Sequence, residues 1–158
     1  MGNYDINNFS DLDLFSDTDF RLLNCDTVEL KKDGETFNVS GINLAELYKH
    51  GGVLKNIPKD NYSVFLCHYS NLIESLDNYN VDLYLCGHTH GGQICLPFYG
   101  AIITLSKFGK KYESGMYRMG ATVLYVNRGI GLEGSAVAPR VRFLSKPEIT
   151  VFNIIPKN

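Results

Sequence analysis

The sequence predicts an α/β fold, rich in β-strand, with two parallel strands at the centre of a sheet. Two apolar runs, VFLC (64–67) and LYLC (83–86), have the length of buried strands, and the helix-like segment NLIESLDNY (71–79) lies between them. This order of strand, helix and strand is typical of a parallel βαβ unit with helices on at least one face. A chain of 158 residues suffices for one core of ordinary size, so we expect a single domain over residues 1–158.

The segments before this unit predict a loop, a hairpin and a helix. Residues 1–20 carry five aspartates and little periodicity, which indicates a loop or a short helix. TVEL and TFNVSGI then alternate as strands around a turn at Gly34, which favours a hairpin. NLAELYKHGG (43–52) has helical periodicity, and we expect Gly51 to end that helix with His50 as an exposed or capping residue.

The segments after the unit predict further strands. ATVLYVN, VRFL and EITVFNI are rich in β-branched and aromatic residues and are separated by Gly and Pro. We therefore expect a β-rich second half.

Composition and charge exclude several classes of protein. Hydrophobic residues make up 44% and charged residues 20% of the chain, with a net charge of -2, which is typical of a soluble globular protein without a nucleic-acid-binding surface. The sequence contains no apolar run of about 18 residues and no signal-peptide pattern, so we expect no membrane segment and a cytoplasmic location. The four cysteines are spaced singly, which favours reduced, mostly buried thiols.

Three of the four histidines follow the two apolar runs. His68 comes after VFLC and His88 after LYLC, so parallel pairing would bring both rings to one edge of the sheet, where α/β proteins bind ligands. His90 joins them through the turn GHTHGGQ, in which Gly91 and Gly92 permit unusual backbone angles. Neutral imidazoles bind Zn, Mn, Fe and similar ions, so the pattern predicts a divalent-metal site. Alone, His68 would indicate a buried histidine with satisfied hydrogen bonds; the nearby H-x-H pair favours the metal site.

Two other interpretations of these residues remain open. Cys67 and Cys86 could join the histidines in a closed structural zinc site, although the consecutive Cys67 and His68 would point to opposite faces of a strand. GIGLEG (129–134) fits the GxGxxG pattern of dinucleotide sites, but VRFL follows too soon for the helix that such sites require. We therefore expect a glycine turn there.

The motifs resemble those of the calcineurin-like metallophosphoesterases. The resemblance rests on GHTHGGQ (87–93), LCH (66–68), YVNRGIG and RFLSKPEITVF, and it covers nearly the whole chain from Phe20 onward. It is strongest to bacterial members whose histidine motif continues into GGQ. It implies a four-layer α/β/β/α sandwich, of which this chain would form a β-rich part lacking the N-terminal βαβ units. It also implies two divalent metal ions and hydrolysis of phosphoester bonds.

The resemblance also implies roles for individual residues. His68 and His88 match ligands of the second metal, and His90 matches a ligand of the first. Gly2-Asn3-Tyr4-Asp5 is similar to the family block GNH followed by Asp or Glu. Asn3 would then give an amide oxygen to the second metal, and Tyr4 would stand where the family has its catalytic histidine. The alternative for this stretch is a plain N-terminal loop.

Two further residues are candidates for contacting the phosphate of a substrate. Arg128 is one, because its guanidinium matches phosphate oxygens, and Gln93 is the other. A salt bridge or a backbone contact is the alternative for each.

The sequence also departs from the family. It contains neither DxH nor GDxxD, so the carboxylate that would bridge two ions is missing. We expect the first metal to bind poorly and Asn3, His68 and His88 to hold one ion weakly. The leading hypothesis is therefore the C-terminal portion of a metal-dependent phosphomonoesterase or phosphodiesterase, with weak or no activity alone. The alternative is a non-catalytic metal-binding or interaction module whose exposed sheet is covered by a separate N-terminal half or a second copy.

Overall fold

A six-stranded sheet with four parallel central strands forms the centre of the molecule. The computed structural model describes residues 1–9, 11–134 and 140–155. The strand order is β1-β2-β3-β4-β8-β7, in which β2, β3, β4 and β8 are parallel and an antiparallel hairpin closes each edge. The predicted β-rich α/β fold and the parallel pairing of the two apolar runs are thus confirmed, and the sheet is consistent with part of a metallophosphoesterase sandwich.

The elements have the following bounds. The strands are β1 (Asp26–Lys32), β2 (Glu35–Ile42), β3 (Tyr62–Cys67), β4 (Leu83–Cys86), β5 (Cys95–Leu96), β6 (Gly100–Ala101), β7 (Gly115–Met119) and β8 (Thr122–Val126). The α-helices are α1 (Asn3–Phe9) and α2 (His50–Lys55), and short 3-10 helices cover Leu44–Lys49, Ile73–Ser75 and His90–Gly92. Strands β5 and β6 form a separate two-stranded sheet.

The predicted hairpin is confirmed as β1 and β2. Asp33 and Gly34 connect these strands, and both have positive φ, 53° and 85°. Two consecutive residues with positive φ match the right-handed twist of the flanking strands, which explains why Asp-Gly stands at this turn.

The core lies on one face of the parallel strands. Phe65, Tyr84 and Leu124 stand opposite one another on β3, β4 and β8, and each is fully buried. Leu54 of α2 and Ile73 of the following 3-10 helix join them in one hydrophobic cluster. Burying a large apolar side chain contributes about 1.5–3 kcal/mol, so this row fixes the pairing of the three strands.

The opposite face of the same strands is less covered. Leu66, Leu85 and Tyr125 form the next row across β3, β4 and β8 and are only half-buried. The ring of Phe152 contacts Tyr125, with centroids 5.0 Å apart.

The helix predicted from NLAELYKHGG differs from the observed one. A 3-10 helix at Leu44–Lys49 leads into α2, which continues through Gly51 to Lys55, so the prediction that Gly51 ends the helix was wrong. The physical reason is packing: Val53 and Leu54 become buried when the helix continues past the glycines. His50 is a capping residue, because its Nδ1 lies 2.9 Å from the carbonyl oxygen of Leu47.

Two predicted strands do not form. VRFL and EITVFNI lie in irregular chain, with only isolated bridges between Ile94 and residues 143 and 144. Ile149 and Val151 are 83% and 84% exposed, because no neighbouring strand in the described residues pairs with them. NLIESLDNY forms only the 3-10 helix at residues 73–75, and strands β5, β6 and β7 were not predicted.

Other sequence predictions have mixed outcomes. All four cysteines are free; Cys67 and Cys86 are buried, whereas Cys25 and Cys95 are partly exposed. GIGLEG contains no helix, as expected for a glycine turn. Among the described residues, every helix is too short or too polar to traverse a lipid bilayer.

A glycine in β2 is required by a close approach of the preceding chain. A Cβ at Gly41 would lie 2.5 Å from the Cβ of Leu23 and 3.0 Å from its carbonyl oxygen, so the Gly41→Ala variant should lose about 1–3 kcal/mol of unfolding free energy. Gly52→Ala is the matched control, because a Cβ there meets nothing within 4 Å. Because alanine favours a helix more than glycine does, the Gly52→Ala control should gain up to about 1 kcal/mol of unfolding free energy. Urea unfolding of both variants measures the difference, and equal stability would contradict the close approach.

Candidate metal centre

His68 and His88 lie side by side at the carboxyl ends of β3 and β4. Their ring centroids are 5.2 Å apart, with the ring planes inclined at 66°. Beyond the last strand pair, the Gly87 amide donates to the His68 carbonyl oxygen at 3.0 Å. This hydrogen bond fixes the two strand ends relative to each other, so the parallel register brings the rings together.

Asn3 adds a third donor atom at the same place. Its Oδ1 lies 2.8 Å from Nε2 of His68 and 3.3 Å from Nδ1 of His88. The chain before α1 lies directly against the His68 ring, because a Cβ at Gly2 would approach that ring to 2.8 Å. The Gly2 amide also donates to Oδ2 of Asp5 at 2.9 Å. The stretch GNYD is therefore folded over His68 by a short helix.

The contact of Nε2 of His88 indicates what Asn3, His68 and His88 can bind. Nε2 lies 3.4 Å from the carbonyl oxygen of Leu105, which only accepts, and a neutral ring that donates from Nε2 carries its lone pair on Nδ1. The lone pair on Nδ1 then faces Oδ1 of Asn3, which also accepts. Two acceptors that face each other are unfavourable unless a cation binds between them, so the donor set fits a metal ion.

Both imidazoles favour the neutral form. Burial lowers the pKa of His68 to about 4, and the neighbouring His88 adds to the shift. Burial also lowers the pKa of His88. A neutral imidazole has the free lone pair that a metal needs.

His90 is not part of this group. Its Nδ1 lies 3.4 Å from Oε1 of Gln93. No three or more His, Cys, Asp or Glu side chains in the described ranges come close enough to hold an ion together. The structure thus brings together Asn3, His68 and His88, two imidazoles and an amide, whereas the His90 ring contacts Gln93.

The backbone of GHTHGGQ has unusual angles over most of its length. Positive φ occurs at five positions, namely His88, His90, Gly91, Gly92 and Gln93. Such angles are rare for residues with a side chain and occur where the surroundings enforce them. The glycines also allow close contacts, since a Cβ at Gly92 would lie 2.2 Å from the Cβ of Ala101.

Arg142 holds this loop, and the sequence did not reveal its role. Its guanidinium donates to carbonyl oxygens of His90, Arg128, Gly129, Gly131 and Ser145 at 2.7 to 3.3 Å. Ser145 Oγ adds a hydrogen bond to the His90 carbonyl at 2.8 Å. No local pattern predicts a residue that binds a loop 52 positions away.

The two predicted phosphate-contacting residues have partners within the chain. The Gln93 amide donates to the Glu133 carbonyl and accepts from the Glu133 amide, both at 2.7 Å. Nε of Arg128 donates to Oε2 of Glu148 at 2.5 Å. Phosphate contact by either residue stays a prediction.

Glu148 anchors the chain after the loop and should make stability depend on pH. Desolvation alone would raise its pKa, but hydrogen bonds from Tyr125, Arg128 and Thr150 lower it below the usual range. Because the folded-state pKa is depressed, the stabilisation is fully present above about pH 5 and is lost as the pH falls through the folded-state value. Glu148→Gln should therefore lower the unfolding free energy by about 2 kcal/mol near neutral pH and by much less near about pH 3.

Urea unfolding at both pH values tests this, with Glu74→Gln as the control. The Glu74 side chain is 37% exposed and pairs with Lys111 on the surface, so its loss should cost no more than about 1 kcal/mol. Equal costs for the two variants near neutral pH would contradict the anchoring role of Glu148.

Comparison with known proteins identifies relatives of this chain. The chain is 47% identical over 107 residues to an uncharacterized metallophosphoesterase, YkuE, of Bacillus subtilis (strain 168), covering 68% of this chain and 36% of that protein. It is 32% identical over 101 residues to the phosphodiesterase YaeI of Escherichia coli (strain K12), covering 63% and 33%. It is 28% identical over 153 residues to the UDP-2,3-diacylglucosamine pyrophosphatase LpxG of Chlamydia muridarum (strain MoPn / Nigg), covering 91% and 44%.

The chain spans less than half of the length of these curated relatives. No family model matches it, and no solved structure matches it. Another relative, an uncharacterized metallophosphoesterase of Helicobacter pylori (strain J99 / ATCC 700824), is 33% identical over 138 residues, covering 78% of this chain and 35% of that protein. YkuE and this relative are both named metallophosphoesterases. The chain belongs to the calcineurin-like metallophosphoesterase superfamily.

Proposed function

We propose that Asn3, His68 and His88 hold one divalent metal ion, and that this ion serves the hydrolysis of a phosphomonoester or phosphodiester. The observation that carries the proposal is the convergence of three donor atoms, with Asn3 Oδ1 at 2.8 and 3.3 Å from the two ring nitrogens. Donor atoms that share one ion at about 2.1 Å lie about 3 Å apart, so these separations support a common ion. Nitrogen and oxygen donors suit Mn, Fe and Zn.

The residues around the ion have separate tasks. The carbonyl of Leu105 orients the His88 ring through Nε2, which keeps the Nδ1 lone pair directed at the ion. Gly2 allows the chain to lie against the His68 ring, because a Cβ there would approach the ring to 2.8 Å. A bound divalent ion supplies charge that polarises a phosphoryl oxygen and lowers the pKa of bound water.

We further propose that the centre needs groups that this sequence does not contain. DxH and GDxxD are absent, and His90, whose Nδ1 faces Gln93, is the remaining candidate ligand for a second ion. Tyr4, at the position that resembles a catalytic histidine, is half exposed and lies near Phe9, with ring centroids 6.5 Å apart. A phenol donates a hydrogen bond but carries no positive charge, so it stabilises a developing anion less than an imidazolium does.

Manganese binding tests the ion site directly. His68→Ala should weaken the binding of Mn²⁺ by about tenfold or more, because one of three donors is lost. His90→Ala should have a much smaller effect, because His90 lies outside the group. His50→Ala is the matched control, since its Nδ1 is engaged by the Leu47 carbonyl, and it should bind Mn²⁺ normally. Isothermal titration measures the four dissociation constants. Equal losses for the His68 and His50 variants would overturn the proposed site.

Turnover separates the enzymatic proposal from its alternative. With Mn²⁺, this chain alone should hydrolyse bis(p-nitrophenyl) phosphate very slowly or not at all, because no carboxylate bridges two ions. Addition of a polypeptide that carries DxH and GDxxD from a related metallophosphoesterase should raise the rate if that polypeptide covers the half-buried sheet face. Fast turnover by this chain alone that survives in His88→Ala would show that another site performs the reaction.

The alternative function is a non-catalytic interaction module. The observation that favours it is the exposure of apolar side chains after β8, above all Ile149 and Val151. A complex with the added polypeptide in light scattering, without any gain in turnover, would support this alternative over the phosphoesterase.

A further inference from the structure

We propose that a pocket beside His88 and His90 binds the apolar chain of an amphiphilic phosphoester, such as an alkyl or acyl phosphate ester. This inference rests on the proposed function, and it adds the class of substrate. The pocket has a volume of about 370 Å³ and lies between the histidine loop and the segment 102–105. Its apolar wall consists of Ile94, Ile102, Ile103 and Leu105.

Three of the polar side chains that line the pocket, Thr89, Thr104 and Gln93, are already bonded within the protein. Thr89 Oγ1 donates to the Glu113 carbonyl at 2.7 Å, and Thr104 Oγ1 donates to the Gly109 carbonyl at 2.7 Å. The amide of Gln93 bonds both backbone groups of Glu133. A site for a sugar or a nucleobase offers convergent polar groups that are free to bond the ligand. The three side chains here already form hydrogen bonds to the protein backbone. The lining therefore favours an apolar occupant.

Charge directs the phosphate away from this pocket. Glu133 is the acidic residue among the lining residues, and its carboxylate lies near enough to His88 to affect that ring electrostatically. An anionic group inside the pocket would meet this carboxylate, whereas an uncharged chain would not. The anionic end of a ligand thus belongs on the other side of His88.

His88 connects the pocket to the proposed ion. Its Nδ1 faces Asn3 and its Nε2 faces the Leu105 carbonyl, which is part of the pocket wall. The His88 ring therefore lies between the pocket and a phosphoryl group bound at Asn3, His68 and His88. The organic part of such a phosphoester reaches the pocket by passing this one ring.

Exposed apolar side chains at the rim of the pocket offer a surface on which the alkyl chain of the ligand can pack. Ile103 and Leu105 are 63% and 71% exposed, and Ile102 is 48% exposed. Single exposed apolar residues are common, but several around one concave site mark a surface that a ligand covers. Burying them against an alkyl chain removes apolar area from water on both sides.

The test compares three small ligands in titrations with the Mn²⁺-loaded chain, each below its micelle concentration. Octyl phosphate should bind about tenfold or more tightly than methyl phosphate, because burial of about two or three methylenes already gives that ratio. Octyl glucoside, which has the chain without the phosphate, should bind more weakly than octyl phosphate.

Two variants locate the effect. Ile103→Asn should abolish most of the advantage of octyl over methyl phosphate and leave methyl phosphate binding unchanged. Ile149→Asn is the matched control, because Ile149 is 83% exposed and does not line the pocket. It should keep the full advantage.

The outcomes distinguish this inference from the proposed function. Mn²⁺-dependent binding of methyl phosphate with no octyl advantage would overturn the pocket and leave the metal site standing. An octyl advantage that Ile103→Asn removes, without any dependence on Mn²⁺, would support the pocket and contradict the metal site. An advantage that Ile103→Asn does not change, or octyl glucoside binding as tight as octyl phosphate, would overturn the inference.

Discussion

The parallel pairing of β3 with β4 is the constraint on which the rest of the structure depends. The buried row of Phe65, Tyr84 and Leu124 sets its register, and a slip by one residue would expose these side chains. Because both strands end at the same level, His68 and His88 follow at one edge, and the hydrogen bond from Gly87 to the His68 carbonyl extends the pairing to the histidines themselves. The candidate metal centre is therefore a consequence of core packing on the far side of the sheet.

The histidine loop stores conformational strain that distant residues hold in place. Positive φ at His88, His90 and Gln93 costs about 1–3 kcal/mol for each residue. Arg142 and Ser145 bind the carbonyl of His90, and Glu133 clamps Gln93, so these contacts offset the cost. In this conformation His88 contacts Asn3 and Leu105, whereas His90 contacts Gln93. Arg142 thereby joins the segment 140–155 to the site.

The sequence was sufficient for the parts of the fold that local patterns determine. Apolar runs gave β3 and β4, and Asp-Gly gave the first hairpin, because each pattern reports burial or backbone angle directly. The prediction that Gly51 ends the helix was wrong, since burial of Val53 and Leu54 outweighs the preference of glycine for a helix end. EITVFNI has strand propensity but no partner strand in the described residues, and propensity alone does not form a sheet. Histidine spacing indicated the site, whereas the role of Arg142 and the hydrogen bonds to the His90 carbonyl depend on contacts over 50 residues apart that no local pattern encodes.

The central claim is that one ion is shared by an amide oxygen and two imidazoles. Anomalous diffraction from crystals of this chain soaked in Mn²⁺ tests it most directly, because it locates the ion independently of activity. We expect a single strong peak at bonding distance, about 2.1 Å, from Asn3 Oδ1, His68 Nε2 and His88 Nδ1. A strongest peak beside His90 or a cysteine, with none at His68, would contradict it.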